Sequence, residues 1–465
     1  MSMNNETTDF GTEKVSVLFR KLFFPTLLGM LSLCAVTTID GIFVGHGVGS
    51  DGIAAINICI PLLMALTGVG LMIGAGCSVI ASVCLSRGKV LLARTCITQA
   101  LAFAGAVSAL CMALIMIFPE QTAWLLGSSS HLLPLVVDYL VWFSPTLFFE
   151  LLIAVALFAI RLDGSPKLAM WCSVVAAAAN AVLDWLFIFP LGWGVMGAAL
   201  ASSLSCLIGA AIAMVYMLHY AQTLRLRALH PGWRKTLFFA RNIRKQCKIG
   251  SSALLGEATM AVLMFVGNHM FMSIMGDDGV GAFGVSCYYL PFVFMIGNAI
   301  AQSAQPIISY NFGTGDMRRV TMAFRVSLRA VFACGVITTV AFVLFPDALV
   351  SLFLPLDNSA AQIAVGGFPL YAVSFVFFIF NLSAIGFYQS VERVLPAVVF
   401  ALLRGFVFLV PCFAILSDLA GETGLWLSLP ASEILTTVVI ALFYTICKPK
   451  AKAFLGRAVR SPRRR

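Results

Sequence analysis

Apolar residues run along this chain in stretches near twenty residues long, set apart by short polar breaks. The runs begin near Leu22, Ile53, Val90, Leu133, Leu168 and Met196, and a second set begins near Gly250, Val280, Val320, Phe368, Pro396 and Gly424. About 20 residues at a 1.5 Å helical rise cover the roughly 30 Å of hydrocarbon in a membrane. Each run is apolar around its whole circumference, which suits a helix and excludes the alternating strands of a barrel. The pattern therefore predicts an all-α polytopic membrane protein with twelve transmembrane helices, designated spans 1 to 12 in chain order.

Composition sharpens this reading. Hydrophobic residues make up 60% of the chain and charged residues 11%, against about 25% charge in soluble domains. The stretch from Met1 to Thr12 is polar, and the apolar run after it is too long for a signal peptide and has no small-residue cleavage site, so span 1 is expected to be retained. The thirteen cysteines are scattered singly without metal-ligand spacing, and the five histidines are equally dispersed. No metal cluster, cofactor motif, phosphate loop or catalytic constellation is expected, and the chain does not read as an enzyme.

The formal net charge of +10 is confined to alternate loops. Lys14, Arg20 and Lys21 precede span 1; Arg87, Lys89 and Arg94 lie between spans 2 and 3; Arg161 and Lys167 lie between spans 4 and 5. A basic stretch from Arg225 to Lys248 joins spans 6 and 7, Arg318, Arg319, Arg325 and Arg329 follow span 8, Arg393 follows span 10, and the tail runs from Lys448 to Arg465. The intervening loops carry no Lys or Arg. By the positive-inside rule both termini are cytoplasmic, in a plasma (inner) membrane. The basic tail is read as a contact with anionic lipid or a topology signal, not as a nucleic-acid arm.

A repeat is also visible. Asp51-Gly52 recurs as Asp278-Gly279, Gly88 as Gly315, Phe118-Pro119 as Phe345-Pro346, and Gly194 and Gly197 as Gly421 and Gly424, all at an offset of 227. An even number of spans per half makes these parallel repeats, two pseudo-symmetric lobes with a cleft between them. The expected organisation is a cytoplasmic N-terminal segment (1–21), a first six-helix lobe (22–220), a linker (221–249), a second lobe (250–447) and the basic tail (448–465). A two-lobe plan needs no partner chain, so the protein is expected to work as a monomer.

Ionisable groups inside a span are costly, roughly 2.5–3.5 kcal/mol on insertion scales, and each is a functional candidate. Asp40 in span 1 and Asp184 in span 5 lie at similar depth in the outer half of the first lobe. Asn180 is one turn from Asp184 on the same helical face, and Ser202 in span 6 reaches that level. This oxygen-rich set suits a proton or a small hard cation such as Na+. The matching place in the second lobe is neutral, with Asn268 near the counterpart of Asp40. Glu150, Glu257 and Glu433 are further intramembrane acids that could line a cavity or bond between helices. Arg404 in span 11, the one intramembrane base, is a candidate partner for one of them.

These residues resemble the multidrug and toxic compound extrusion (MATE) family. The resemblance is carried by Asp40-Gly-Ile-Phe-Val-Gly45, by Asn180-Ala-Val-Leu-Asp184, by Gly194-Val-Met-Gly197 leading to Ser202, and by Gln302-Ser-Ala-Gln-Pro-Ile-Ile-Ser-Tyr-Asn311-Phe-Gly313. It implies twelve helices, a central cleft and export of organic, often cationic, small molecules in exchange for H+ or Na+, with no cofactor. It also implies that Asp40, Asn180, Asp184 and Ser202 form the cation-coupling site, Na+ being one candidate ion, and that Pro25 is a hinge in span 1. Ser202 stands where the family commonly has Thr. Glu257 matches a second-lobe acid of the sodium-coupled branch, but span 10 holds no acid to complete that site. Two carboxyls close together in a low-dielectric cavity would favour uptake of a proton between them, so cargo and cation are expected to compete. A lipid or lipid-linked-oligosaccharide flippase, or an exporter of an endogenous metabolite, is the alternative reading. The flippase needs a basic cleft, which Arg404 alone does not supply.

Overall fold

The computed structural model describes residues 9–228 and 233–458. Parts of the expected N-terminal segment, linker and tail, namely residues 1–8, 229–232 and 459–465, lie outside the described residues. In chain order the helices are α1 (Val15–Gly47), α2 (Ser50–Ser86), α3 (Val90–Ile117), α4 (Pro119–Leu125), α5 (Leu133–Leu162), α6 (Pro166–Ile188), α7 (Gly194–Val215), α8 (Trp233–Thr314), α9 (Met317–Leu344), α10 (Pro346–Ser351), α11 (Ser359–Ala372), α12 (Ser374–Ser390), α13 (Val394–Leu402) and α14 (Leu409–Ala458). Five-residue π-helical segments follow α7 at Tyr216–Tyr220 and α13 at Leu403–Val407.

Among the described residues nine helical stretches are long and apolar enough to cross a membrane, and α11 with α12, bent by 48°, make one further span. Two of the nine are hairpins. In α8 the backbone turns at Gly276 (φ 64°, ψ −152°), and Phe271 stacks on Phe283 with ring centroids 4.7 Å apart. Twelve residues of straight helix would separate them by roughly 18 Å. In α14 the turn is at Gly421 (φ 54°), after which the Ser428 hydroxyl donates to the Cys412 carbonyl at 3.2 Å. With these reversals the described residues make twelve spans, as the apolar pattern predicts. The left-handed φ at both turns is open to glycine without a Cβ penalty.

The repeat extends into the backbone. Gly49 (φ 96°) corresponds to Gly276, and Gly194 (φ 56°) to Gly421, each at the 227 offset. The short helix α4 likewise recurs as α10. Helices begin before several of the apolar runs, most clearly α8 at Trp233 and α11 at Ser359. Hydropathy registers only the part of a helix that lies in hydrocarbon, whereas the hydrogen-bonded backbone continues beyond it. Pro25 sits inside the single helix α1.

By the sequence repeat, α1 to α7 are assigned to the first lobe and α8 to α14 to the second, the start of α8 lying within the expected linker. The second is cored by an aromatic cluster in which Phe342 packs on Phe368 and Phe375, and Phe271 and Phe368 meet Trp426. Large apolar side chains such as Phe265, Phe332, Ile337 and Leu442 remain exposed on the outside, as a lipid-facing surface requires.

Every hydrogen bond between the lobes, among the described residues, lies on the side that carries the basic loops. The Ser78 hydroxyl donates to Gln305 Oε1 at 3.0 Å and that of Ser82 to the Pro306 carbonyl. The Asn242 amide donates to Gln99 Oε1 at 2.6 Å. Arg319 donates to the carbonyls of Phe10 and Glu13, and Asn311 to that of Phe10, which fastens the segment before α1 to the second lobe. Glycines permit this close seam. A Cβ on Gly76 would strike the backbone of Gln246, and one on Gly250 the backbone of Met72. The lobes are thus closed together on the basic side. Gly250→Val should pry them apart there; spin labels placed across the basic side are expected to report longer inter-lobe distances than in the parent.

Candidate cation-coupling site

Asp184 and Asn180 project from α6, four residues apart and therefore on one face. The run from Ala176 to Ala179 keeps the helix slim, and Gly29 of α1 lies against the Met170 backbone and Ser173, so α1 and α6 pack closely. That packing brings Asp40 of α1 to Asp184. Their carboxyl groups lie close enough to interact. A hydrogen bond between two carboxyls requires that one of them hold a proton, because an ionised carboxylate accepts and does not donate.

Asp184 is fully buried and Asn180 nearly so. Asp40 Oδ1, both Asp184 oxygens and the Asn180 amide nitrogen have no hydrogen-bond partner among the described residues. The pair is therefore short of donors, in a medium where an unpaired charge is expensive. Ser202 is half-buried on α7, and its hydroxyl bonds to none of the three, so the structure brings together Asp40 and Asp184 with Asn180 beside them but does not join Ser202 by a hydrogen bond. Among the described residues no group of three or more His, Cys, Asp or Glu side chains is arranged to hold a metal ion. Tyr139 of α5, buried and within electrostatic reach of both aspartates, is a neighbour that the sequence reading did not single out. Its depth was the available signal: it lies six residues into α5 from the outer end, and Asp40 seven residues from the end of α1.

The remaining intramembrane groups separate into two sets. Glu150 accepts the Cys206 thiol at 3.7 Å and lies within electrostatic reach of Glu257, across the boundary between lobes. Glu257 is buried with Oε1 unpartnered. Asn268 is exposed on α8 and bonds to nothing. In the second lobe Arg404 Nε meets Glu433 Oε1 at 2.6 Å, both side chains 1% exposed. Asn381, a span 10 residue that sequence reasoning passed over, donates to Glu433 Oε2 at 2.7 Å. A small chamber between the lobes is lined by Phe158, Phe294, Asn298, Gln302, Gln305 and Gln389 among others, and no charged side chain lines it.

A family model described as MatE matches this chain twice, over residues 25–186 and again over 253–414. The chain belongs to the MatE family. Members of this multidrug efflux family are transporters and not enzymes, and the protein is a multi-pass membrane protein. The multidrug export protein MepA of Staphylococcus haemolyticus is 26% identical over 451 residues, covering 94% of this chain and 95% of the relative. A FAD transporter of Shewanella oneidensis is 24% identical over 440 residues, covering 91% and 93%. A solved structure described as the outward-facing conformation of a multidrug resistance MATE family transporter of the MOP superfamily superposes with a TM-score of 0.89 at 17% identity, covering 97% of this chain and 100% of that one. The two matched segments start 228 residues apart, within one residue of the offset in the turns.

Removing one member of a buried ion pair leaves the other uncompensated, at a cost of roughly 3 kcal/mol or more. Glu433→Ala in this MatE protein should therefore lower the thermal midpoint of the detergent-purified protein sharply, whereas Glu150→Gln, at a carboxyl without a basic partner, should change it little.

Proposed function

We propose that this MatE protein is a secondary active exporter that exchanges small organic compounds, many of them cationic, for protons by alternating access, with Asp40 and Asp184 as the coupling pair. The reading is carried by the contact of the two carboxyls inside the first lobe. A proton held between them is stabilised while the pair is sealed. Loss of that proton leaves two adjacent negative charges that repel, and hydration or a cationic cargo would relieve them. Cargo and proton thus compete for the same charge, and their different affinities for the two lobe arrangements set the direction of exchange. Asn180, with a free amide at the pair, orients a carboxyl or a bound water, and Ser202 at the same level can join once α1 moves. Pro25 interrupts the hydrogen bonding of α1 and gives it a place to bend.

The basic loops support a reading in which the closed seam, both termini and the linker are cytoplasmic and the protein sits in a plasma (inner) membrane. The structure then corresponds to an outward-facing state. Sodium is the other ion the carboxyls could take. The closeness of the two carboxyls, with no hydrogen bond from the Ser202 hydroxyl to either, favours H+. The relative named for FAD transport raises an anionic cargo, but Arg404 is sequestered against Glu433 and the inter-lobe chamber carries no positive charge, which favours neutral and cationic compounds. The two lobes supply a complete cleft, so the monomer suffices.

The test is efflux of a fluorescent organic cation such as ethidium from proteoliposomes, with proton and sodium gradients imposed separately. A proton gradient is expected to drive efflux, with Asp40→Asn and Asp184→Asn each reducing it by about tenfold or more at normal expression. Full gradient-driven efflux in both variants would rule out the assignment, and efflux driven by sodium alone would replace the ion.

A further inference from the structure

The two lobes treat their buried acids differently. In the first lobe the aspartates keep unpartnered oxygens and no basic residue lies beside them. In the second, each Glu433 oxygen is committed, Oε1 to Arg404 Nε and Oε2 to the Asn381 amide, which also donates to the Glu433 carbonyl at 2.9 Å. The guanidinium is itself confined: it lies 3.8 Å from the centroid of the Phe378 ring, and the Ser432 hydroxyl donates to its backbone carbonyl. Arg404 sits in the π-helical segment Leu403–Val407, and Gly405 next to it is pressed against Thr259 of α8. A π-turn inserts a residue into a helix, commonly at a functional position; here it falls at Arg404, the more deeply buried of the two buried arginines among the described residues. At the 227 offset the first-lobe counterparts of Arg404 and Glu433 are Ala177 and Cys206, so the repeat itself did not require this pair.

We propose that Arg404 is a tethered counter-ion that permanently fills the acidic pocket of the second lobe, so that Glu433 takes no part in ion exchange and the exchanged cation is carried by the first lobe alone. The proposal rests on the reading that transport is cation-coupled. An acid can couple transport only if its cation comes and goes with the lobe movement. A guanidinium fixed to the backbone, always charged and clamped on an aromatic face, cannot leave. The pocket therefore behaves as an occupied ion site in every state of the cycle, and the second lobe moves as a rigid, electrically silent body while the first lobe titrates.

The experiment compares ethidium efflux and its pH profile in proteoliposomes of the parent, Arg404→Ala, the double variant Arg404→Met/Glu433→Leu, and Asp184→Asn. The double variant removes both charges at similar volume and is expected to keep gradient-driven efflux within about threefold of the parent at an unchanged pH midpoint. Arg404→Ala leaves Glu433 without its counter-ion; it is expected to fall about tenfold or more and to recover several-fold when guanidinium ion is added. A double variant whose pH midpoint moves by about one unit, or which no longer needs the gradient, overturns the proposal. So does an Arg404→Ala protein that transports like the parent or that guanidinium does not restore. If the apolar pair does not fold, Arg404→Gln/Glu433→Gln, which can bond amide to amide, replaces it with the same expectations. Asp184→Asn separates the two levels: coupling that survives in it removes the first-lobe assignment, whatever the second-lobe pair does.

Discussion

A carboxylate in the hydrocarbon of a membrane must find a proton or a counter-charge, because water is not there to solvate it. The architecture of this protein follows from meeting that constraint in two ways within one repeated fold. Asp40 and Asp184 lie close together, and in the proposed cycle a proton held between them is lost and regained. Glu433 meets a guanidinium on the neighbouring helix, which cannot leave. The lobes have the same helical plan and matching turns at Gly49 and Gly276 and at Gly194 and Gly421. Their chemistry has diverged: the first lobe holds two aspartates with unpartnered oxygens, and the second holds a glutamate paired with an arginine.

The inter-lobe seam makes that asymmetry useful. The lobes touch through side-chain hydrogen bonds at Ser78, Ser82 and Asn242 and through glycine-permitted backbone contacts at Gly76 and Gly250, all on the basic side. Such contacts are short-range and numerous, and they form or break together when a lobe rocks. Glu150 and Glu257 lie within electrostatic reach of each other across this boundary. The chamber above the seam is walled by Phe158 and Phe294 with amides between, a lining that accepts shape and apolar area more than any one functional group.

Much of this was legible in the order of residues. Apolar runs gave the twelve spans because only a helix satisfies its backbone within hydrocarbon, and the 227 offset pointed to two lobes whose turns the structure shows at matching glycines. The pairing of Asp40 with Asp184 was readable from depth alone, since each sits a few residues from the outer end of its helix. What could not be read was lateral placement. Depth put Ser202 level with the aspartates, but its hydroxyl makes no hydrogen bond to them. Asn381 was invisible as a partner of Glu433 because an amide in span 10 has no spacing relation to an acid in span 12. The π-segment at Arg404 likewise leaves no mark in hydropathy; it arises from how Gly405 packs against Thr259.

The most direct test of proton coupling through the aspartate pair is a binding measurement that needs no gradient. Purified protein in weakly buffered detergent solution is titrated with a cationic substrate while the pH is followed. The account predicts that binding acidifies the solution, and that the release disappears in the Asp40→Asn/Asp184→Asn double variant while remaining in the Arg404→Met/Glu433→Leu double variant. Saturable binding of the substrate to the parent with no proton released, or release undiminished when both aspartates are neutralised, would contradict it.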